Sequence, residues 1–282
     1  MNDTTPDAFS AMQEQYGDPR LLDVLAAEFA AEPVERRFSA AELASIDQLH
    51  TRGYAATVDF AASLDIVAET RVLDIGAGLG GPARYLAETF GCRVVGIDAT
   101  EELVRASQFL TQRWSGDANL VDFSVGDALN LPYEAASFDL IWMQHVAMNI
   151  RDRDALYHEI CRVLRPGGRC ATYDVISRGK DLCYPTPWAR SADVSTVLTS
   201  EETRVAFERA GFAIASWRLD TPAALEWVKA TESTPPSNPP PRGMRVLRAA
   251  FGENFRDILA NLGKNYREDR ADVLVAIAES GG

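Results

Sequence analysis

Short apolar runs alternate with amphipathic stretches through the middle of the chain, and this alternation predicts parallel β-α units with right-handed crossovers. Residues 71–75 (RVLDI), 93–98 (RVVGID), 121–128 (VDFSVGDA) and 138–145 (FDLIWMQH) read as strands. LRPGG at 164–168 reads as a turn into a fifth strand, 169–176 (RCATYDVI), and residues 79–90 read as a helix. Two helical stretches, 8–30 and 40–68, precede the first strand. Leu21, Leu22, Leu25 and Phe29 fall at helical spacing, and Ser39 with Glu42 three residues later has the form of a capping box. The C-terminal part predicts a helix over 200–210, a strand over 212–220 and a helix over 222–230. A proline-rich tract (234–243), a helix over 243–267 and an apolar strand over 271–279 follow. The proline-rich tract reads as a stiff surface loop.

The run from 71 to 81, RVLDIGAGLGG, carries the most chemistry. Glycines at the end of a strand let the backbone take positive φ and let a ligand approach the main chain. The N–H groups opening the next helix can then hold an anion. Gly76, Gly78 and Gly81 satisfy the G-x-G-x-x-G dinucleotide pattern, but Asp74 separates the possibilities. A carboxylate two residues before the first glycine would repel a pyrophosphate and suits the ammonium of an amino-acid-like cofactor. That points to S-adenosylmethionine rather than NAD.

Asp98 closes the second strand where an acidic residue accepts from ribose hydroxyls, roughly 20 residues on from the turn. Its bland alternative is an N-cap for the helix starting near Glu101. Asp127 ends the third strand in the sequence GDA. Taken in order, these landmarks resemble the class I S-adenosylmethionine-dependent methyltransferases over roughly residues 65–220. The glycine run GLGGPARYLA and the placement of MQHVAMN are most similar to the small-molecule branch, which includes sarcosine/dimethylglycine, phosphoethanolamine and tocopherol/quinone methyltransferases.

The resemblance implies a Rossmann-like, doubly wound, seven-stranded α/β sheet, mostly parallel with one antiparallel edge strand, plus helical lid elements. It makes the last two strands an antiparallel pair at the sheet edge and 222–270 an insertion between them, placed as an acceptor lid. The implied organisation is a helical lid over 1–68, a cofactor-binding core over 69–220, and a helical insertion with the final edge strand over 221–282. In the cofactor site, Gly76, Ala77 and Gly78 pass under the methionine portion, and Asp74 orients the loop or reaches the ammonium through water. Asp98, with Ala99 beside it, serves the ribose. Asp127 accepts from the adenine amino group and Ala128 N–H meets a ring nitrogen, against the alternative of an Asx turn. Gln144 faces the methionine part. The product is S-adenosylhomocysteine.

Methyl transfer needs alignment and desolvation more than a strong catalytic group. Of three histidines, His145 falls just past the fourth strand at the ligand crevice and is the first candidate base, taken with a pKa near neutrality. His50 is the second, reaching the pocket from the lid helix, while His158 reads as a solvated helix residue. Tyr16, Met148, Asn149, Tyr184 and Trp188 are the candidate acceptor residues, and YPTPWAR (184–190) offers an aromatic wall for a cationic amine. Asp152 and Asp154 read as a helix start, and no metal site is expected.

The formal charge of −13 and the lack of a basic run exclude a phosphate backbone as partner and disfavour anionic membranes. Four scattered cysteines suggest neither a disulfide frame nor zinc. No apolar leader or run near 18 apolar residues is present, so a cytoplasmic protein is expected, with its oligomeric state open. The expected function is methylation of a small-molecule acceptor, with an amine nitrogen first. C- or O-methylation of an isoprenoid, quinone or polyketide-like compound is the alternative, and a cofactor-binding protein without transferase activity a remote one. An isoprenoid diphosphate would require Arg52, Arg190 and Arg242 to gather in the lid.

Overall fold

Apolar residues facing both ways build the centre of the molecule. In the computed structural model, which describes residue 16 and residues 18–235, 237, 240–252 and 254–281, β1 (Arg71–Ile75) is buried beyond its first residue. β4 (Phe138–Gln144) is buried at all but one position. Such strands are covered by helices on both faces, as parallel sheets require.

With β2 (Arg93–Asp98), β3 (Val121–Val125), β5 (Leu164–Ser177), β6 (Phe212–Leu219) and β7 (Ala271–Ser280), the sheet has the order β3-β2-β1-β4-β5-β7-β6. The first five strands in this order are parallel, and β7 runs antiparallel between β5 and the edge strand β6. This is the seven-stranded, mostly parallel sheet with an antiparallel pair at its edge that the resemblance implies, but the final strand, expected at the edge, lies one place in, and β6 takes the edge. Strand order reverses at β1 and β4, so the connections leaving them diverge and open a crevice at their carboxyl ends.

One face of the sheet is covered by α1 (Leu21–Phe29), α2 (Ala40–Asp47), α3 (Gly53–Ala61), α4 (Gly81–Phe90) and α5 (Glu101–Arg113). Phe29, Leu43, Phe60, Leu86 and Leu110 pack there with Val72, Val94 and Trp142. The other face carries α6 (Arg153–Val163) and α7 (Ser200–Arg209), whose Leu156, Tyr157 and Phe207 share a core with Leu73 and Ile141. Between β6 and β7 the chain forms α8 (Thr221–Ser233), α9 (Arg242–Phe251) and α10 (Phe255–Arg267). α9 packs on α1 and α2, tied by Arg242 to Glu32 and by Arg245 to Glu28. The N-terminal and C-terminal helices thus form one roof over the crevice. Among the described residues, no helix is long and apolar enough to cross a membrane.

Three elements differ from the sequence reading. The helix expected over 40–68 is two: it stops at Asp47, where Gln48 leaves helical geometry (φ −104°, ψ 80°), restarts at Gly53 after a turn in which Arg52 takes a left-handed φ of 66°, and ends at Ala61. The stretch expected as one helix over 243–267 breaks at Gly252, with φ 81°. LRPGG is a bulge inside β5 rather than a turn before it: Phe138 and Leu140 of β4 pair with Leu164 and Arg169, so residues 165–168 loop out. The helix expected over 8–30 is described from Leu21 to Phe29, and residues 8–15 of that expectation lie outside the described residues. Ser39 and Glu42 form the expected capping box, with Glu42 N–H donating to Ser39 Oγ (3.2 Å) and Ser39 N–H to Glu42 Oε2 (2.8 Å).

Candidate active site

A cavity lies at the carboxyl ends of β1, β2 and β4, where the topology opens the sheet. Its floor is the glycine loop after β1, its walls are the ends of β2 and β4, and its roof comes from Asp47, Leu49, His50, Tyr16, Pro187 and Phe251. Among the described residues, five of the eleven buried side-chain atoms without a hydrogen-bond partner sit on residues lining it. They are Asp47 Oδ1, Asp74 Oδ2, Thr100 Oγ1, Gln144 Nε2 and His145 Nε2. Unpaired buried polar atoms cost free energy, and so many around one space indicate a place for a polar ligand.

The glycine loop is shaped by its neighbours. Gly76 has φ 68°, and a Cβ there would fall 2.5 Å from Val146 Cγ2, so only glycine fits. Gly78 has φ 53°, and a Cβ on it would meet nothing within 4 Å and would project into open space. Ala77 N–H donates to Ile97 O (2.9 Å), which pins the loop to β2. Asp98 completes the clamp: Oδ2 accepts from Gly78 N–H (2.9 Å) and Oδ1 from Thr100 N–H (2.9 Å). Asp98 is therefore a brace for the loop as well as a wall of the cavity. Burial raises its pKa, against the lowering effect of those backbone donors. Asp74 is 2% exposed, and burial, followed by the charge of Asp98, holds its pKa well above the ordinary value.

The wall from β4 begins at Gln144, whose Oε1 accepts from Trp142 Nε1 (3.1 Å) and Thr57 Oγ1 (3.2 Å). His145 follows with left-handed φ of 59°, held by its N–H donating to Tyr173 O (2.8 Å). Its ring lines the cavity, and burial, then the neighbouring His50, pulls its pKa down to about 3. The expectation of a pKa near neutrality is corrected here, because the imidazolium would lose its hydration with no anion in return. Asn149 Nδ2 donates to His145 O (3.0 Å), and Met148 N–H donates to Asp174 Oδ2 (3.0 Å). Both side chains line the cavity. Burial raises Asp174 to about 7.

His50 lines the cavity too, from the loop between α2 and α3 rather than from a helix. It is half-buried, desolvation lowers its pKa to about 4, and its ring nitrogens face Thr51 O (3.3 Å) and Gln48 Oε1 (3.0 Å). A neutral imidazole carries one N–H and donates to only one of them. Tyr16 closes the roof. Its hydroxyl is 2.8 Å from Pro187 O and 3.1 Å from Asn149 Oδ1, and its ring meets Phe251 edge-on at 6.0 Å.

Other expected residues stand elsewhere. Ala99, Asp127 and Ala128 do not line this cavity, and Asp127 Oδ1 accepts from Leu129 N–H (2.9 Å), the Asx turn weighed against the adenine role. Tyr184 and Trp188 do not line it either: Trp188 is 3% exposed and packs into the core. That segment presents Pro187 instead, and Tyr16 and Phe251 are the aromatics of the roof. His158 is exposed, and Asp152 caps α6 by accepting from Ala155 N–H (2.9 Å). Among the described residues no three His, Cys, Asp or Glu gather to hold a metal. Sequence reading missed Asp47, although its signal was present: Leu43, Ile46 and Asp47 share a helix face, so a charge occupies a core position.

No Lys or Arg is among the described residues lining the cavity. Arg52 pairs with Asp59 (2.5 Å) and Asp220 (2.6 Å), Arg242 pairs with Glu32 (2.7 Å), and Arg190 is exposed outside the lining. The three arginines that an isoprenoid diphosphate would need are not gathered at this site.

Comparison with known proteins fits this geometry. Residues 73–172 match the methyltransferase domain family. The glycine/sarcosine/dimethylglycine N-methyltransferase of Actinopolyspora halophila is 40% identical over 108 residues, covering 38% of this chain and 19% of that one. The 27-O-demethylrifamycin SV methyltransferase of Amycolatopsis mediterranei (strain S699) is 32% identical over 197 residues, covering 70% and 66%. The chain spans about half or less of the length of the curated relatives it first matches. In fold, geranyl diphosphate C-methyltransferase from Streptomyces coelicolor A3(2) superposes with a TM-score of 0.70 at 15% identity, covering 98% and 99% of the two chains. The sheet order, the glycine loop with its two buried aspartates, and these relatives agree: the chain belongs to the class I S-adenosylmethionine-dependent methyltransferases.

Proposed function

We propose that this chain transfers a methyl group from S-adenosylmethionine to a small molecule carrying no phosphate, with an amine nitrogen as the first acceptor. The observation that carries this reading is the charge of the cavity: Asp47, Asp74 and Asp98 line it, and no Lys or Arg does among the described residues. Such a lining welcomes a cation or a neutral group and repels an anion.

The cofactor fits the residues present. Asp74 Oδ2 has no partner, and the Cβ position of Gly78 opens on empty space, which leaves room for a ligand against the loop. When bound, S-adenosylmethionine supplies an electrophilic methyl group on a sulfonium. Asp74 and the main chain of Gly76–Gly78 would hold its amino-acid end, and Asp98 its ribose. A pyrophosphate would meet Asp74 instead, which disfavours NAD. Tyr16, Met148 and Phe251 exclude water over the acceptor, and His145 and His50 remain uncharged at neutral pH. The described helices within 1–68 and within 221–270 then act as the lid of a core that spans 69–220 and is completed by β7.

His145 favours a second reading, transfer to a hydroxyl oxygen. Its Nε2 has no partner, and an unprotonated imidazole can take the proton of a hydroxyl as the oxygen reacts. One relative, aligned over 70% of this chain, is named for 27-O-demethylrifamycin SV.

Calorimetric titration with S-adenosylmethionine, S-adenosylhomocysteine and NAD tests the cofactor. Micromolar binding of the first two, and none of NAD, is expected. Mass spectrometry of products from matched amines, alcohols and phosphorylated amines then tests the acceptor. Methylation confined to phosphorylated acceptors would overturn the charge argument. Tight cofactor binding without turnover on any acceptor would favour a binding protein.

A further inference from the structure

Three carboxylates line the cavity, and they are not equivalent. Asp98 has both oxygens engaged by backbone N–H groups, of Gly78 and of Thr100. Asp74 keeps Oδ2 without a partner, and Asp47 keeps Oδ1. Asp47 is 2% exposed and comes from the roof, as the last residue of α2. Asp74 comes from the floor, at the end of β1.

Asp47 is held at the glycine loop by three contacts of different kinds. Arg84 Nη2 donates to Asp47 Oδ2 (2.9 Å) and also to Leu79 O within the loop. Arg84 itself is fully buried, and its Nη1 donates to Ser107 O (3.1 Å) and Thr111 Oγ1 (3.0 Å), so its position is fixed. Gly81 supplies the third contact. A Cβ there would lie 2.5 Å from Asp47 O and 2.6 Å from Oδ1, so residue 81 must be glycine for Asp47 to sit where it does. The guanidinium fixes which oxygen faces it and leaves Oδ1 against Gly81 without a hydrogen-bond partner, on a residue that lines the cavity.

We infer that Asp47 Oδ1 accepts a hydrogen bond from the α-ammonium of the cofactor, as a lid-borne ligand in addition to the loop-borne Asp74, which lines the same cavity. This rests on the S-adenosylmethionine reading. The ammonium has three donors, and Asp74 Oδ2 and Asp47 Oδ1 are carboxylate oxygens of the lining with nothing else to accept from. The amino-acid end of the cofactor is therefore bound in full only while α2 is seated on α4. Cofactor binding and lid closure become one event.

The test compares S-adenosylhomocysteine with 5′-methylthioadenosine, which shares the adenosine and the sulfur but lacks the amino-acid end. In Asp47→Asn, Arg84 still claims the oxygen, and an N–H donor replaces Oδ1 at the cavity. Calorimetry should show S-adenosylhomocysteine weakened about tenfold or more and 5′-methylthioadenosine changed less than about twofold. Gly81→Ala provides an independent route: it keeps the carboxylate but pushes it from its seat, and the same selective loss is expected. Equal losses on both ligands in both variants, or no loss, would show Asp47 to be structural and overturn the inference. Wild-type protein that binds neither ligand would instead remove the cofactor reading beneath it.

Discussion

The imidazole of His145 lies parallel to the ring of Tyr173, with centroids 5.7 Å apart and 11° between the planes. Tyr173 is fixed in turn, its hydroxyl donating to Asp220 Oδ2 (3.1 Å), which also receives Arg52 Nη1 (2.6 Å). The histidine is thus oriented by stacking, while Nε2 stays without a partner. Its left-handed backbone, φ 59°, is a local strain that packing sustains.

Replacing His145 should therefore separate chemistry from cofactor binding. His145→Asn is the cleaner variant, because asparagine tolerates the left-handed conformation better than alanine does. Turnover is expected to fall about 100-fold or more, the range of a lost general base, with cofactor affinity within about twofold of wild type. Initial rates and calorimetry on one preparation decide this. Equal losses in both would assign His145 to structure.

The same burial makes a prediction about pH and stability. His145 titrates at about 3 and His50 at about 4 in the folded protein, against 6.5 for a free imidazole. Below pH 6.5 the unfolded chain binds protons that the folded chain refuses. Their contribution is thus complete above pH 6.5 and is lost as pH falls from there towards 4. Urea unfolding at pH 7.5 and pH 5 should show a loss on the order of 4 kcal/mol that is absent from the His50→Gln/His145→Gln double variant. Other titrating groups affect both proteins alike, so the difference isolates the histidines.

Much of this fold was legible from periodicity, and the places where it was not have physical causes. Strands β1, β2 and β4 were legible because each is an apolar run with a polar cavity-lining residue (Asp74, Asp98, Gln144) at or next to its end, and Ser39 with Glu42 marked a helix start by capping chemistry alone. The breaks at Arg52 and Gly252 were hidden, since a single left-handed residue does not disturb an apolar pattern. In the site, Asp74, Gly76, Gly78 and His145 were legible because strand ends point at the crevice. Trp188 was misplaced because an aromatic residue after a strand serves a core as readily as a pocket. Asp47 was missed because its partner Arg84 lies 37 residues away, and only tertiary packing brings the two together.

Asp74 should make cofactor binding depend on pH. Burial, then the nearby charge of Asp98, raises its pKa well above the ordinary carboxyl value. A cation binds the ionised form better, so affinity for S-adenosylmethionine should strengthen as pH rises through that raised value. Calorimetry from pH 5.5 to 8.5 reads the slope. Asp74→Asn should weaken binding and flatten the profile; a slope that persists in the variant would assign the titration to another group.

Tyr16 ties the roof together through its hydroxyl, at 2.8 Å from Pro187 O and 3.1 Å from Asn149 Oδ1. Tyr16→Phe keeps the edge-on contact with Phe251 and removes the hydroxyl that makes those polar contacts. One lost neutral hydrogen bond costs about 1 kcal/mol, roughly a fivefold effect. It should appear as a raised KM for the acceptor with the thermal midpoint unchanged. A drop in midpoint with unaltered KM would make Tyr16 a structural strut.

Arg84 and Asp47 form an ion pair with both side chains fully buried. Removing the cation alone leaves a carboxylate without compensation, and Arg84→Met should cost about 3–5 kcal/mol in urea unfolding. The double variant Arg84→Met/Asp47→Leu buries no charge, so a good part of that loss should return. Cofactor affinity should not return with it, because the hydrogen-bond acceptor on the lid has gone. Stability recovered while S-adenosylhomocysteine binding stays weak would separate the role of the pair in folding from its role at the ligand. Recovery of both would mean that Arg84 and Asp47 serve only to hold the lid helix on the glycine loop.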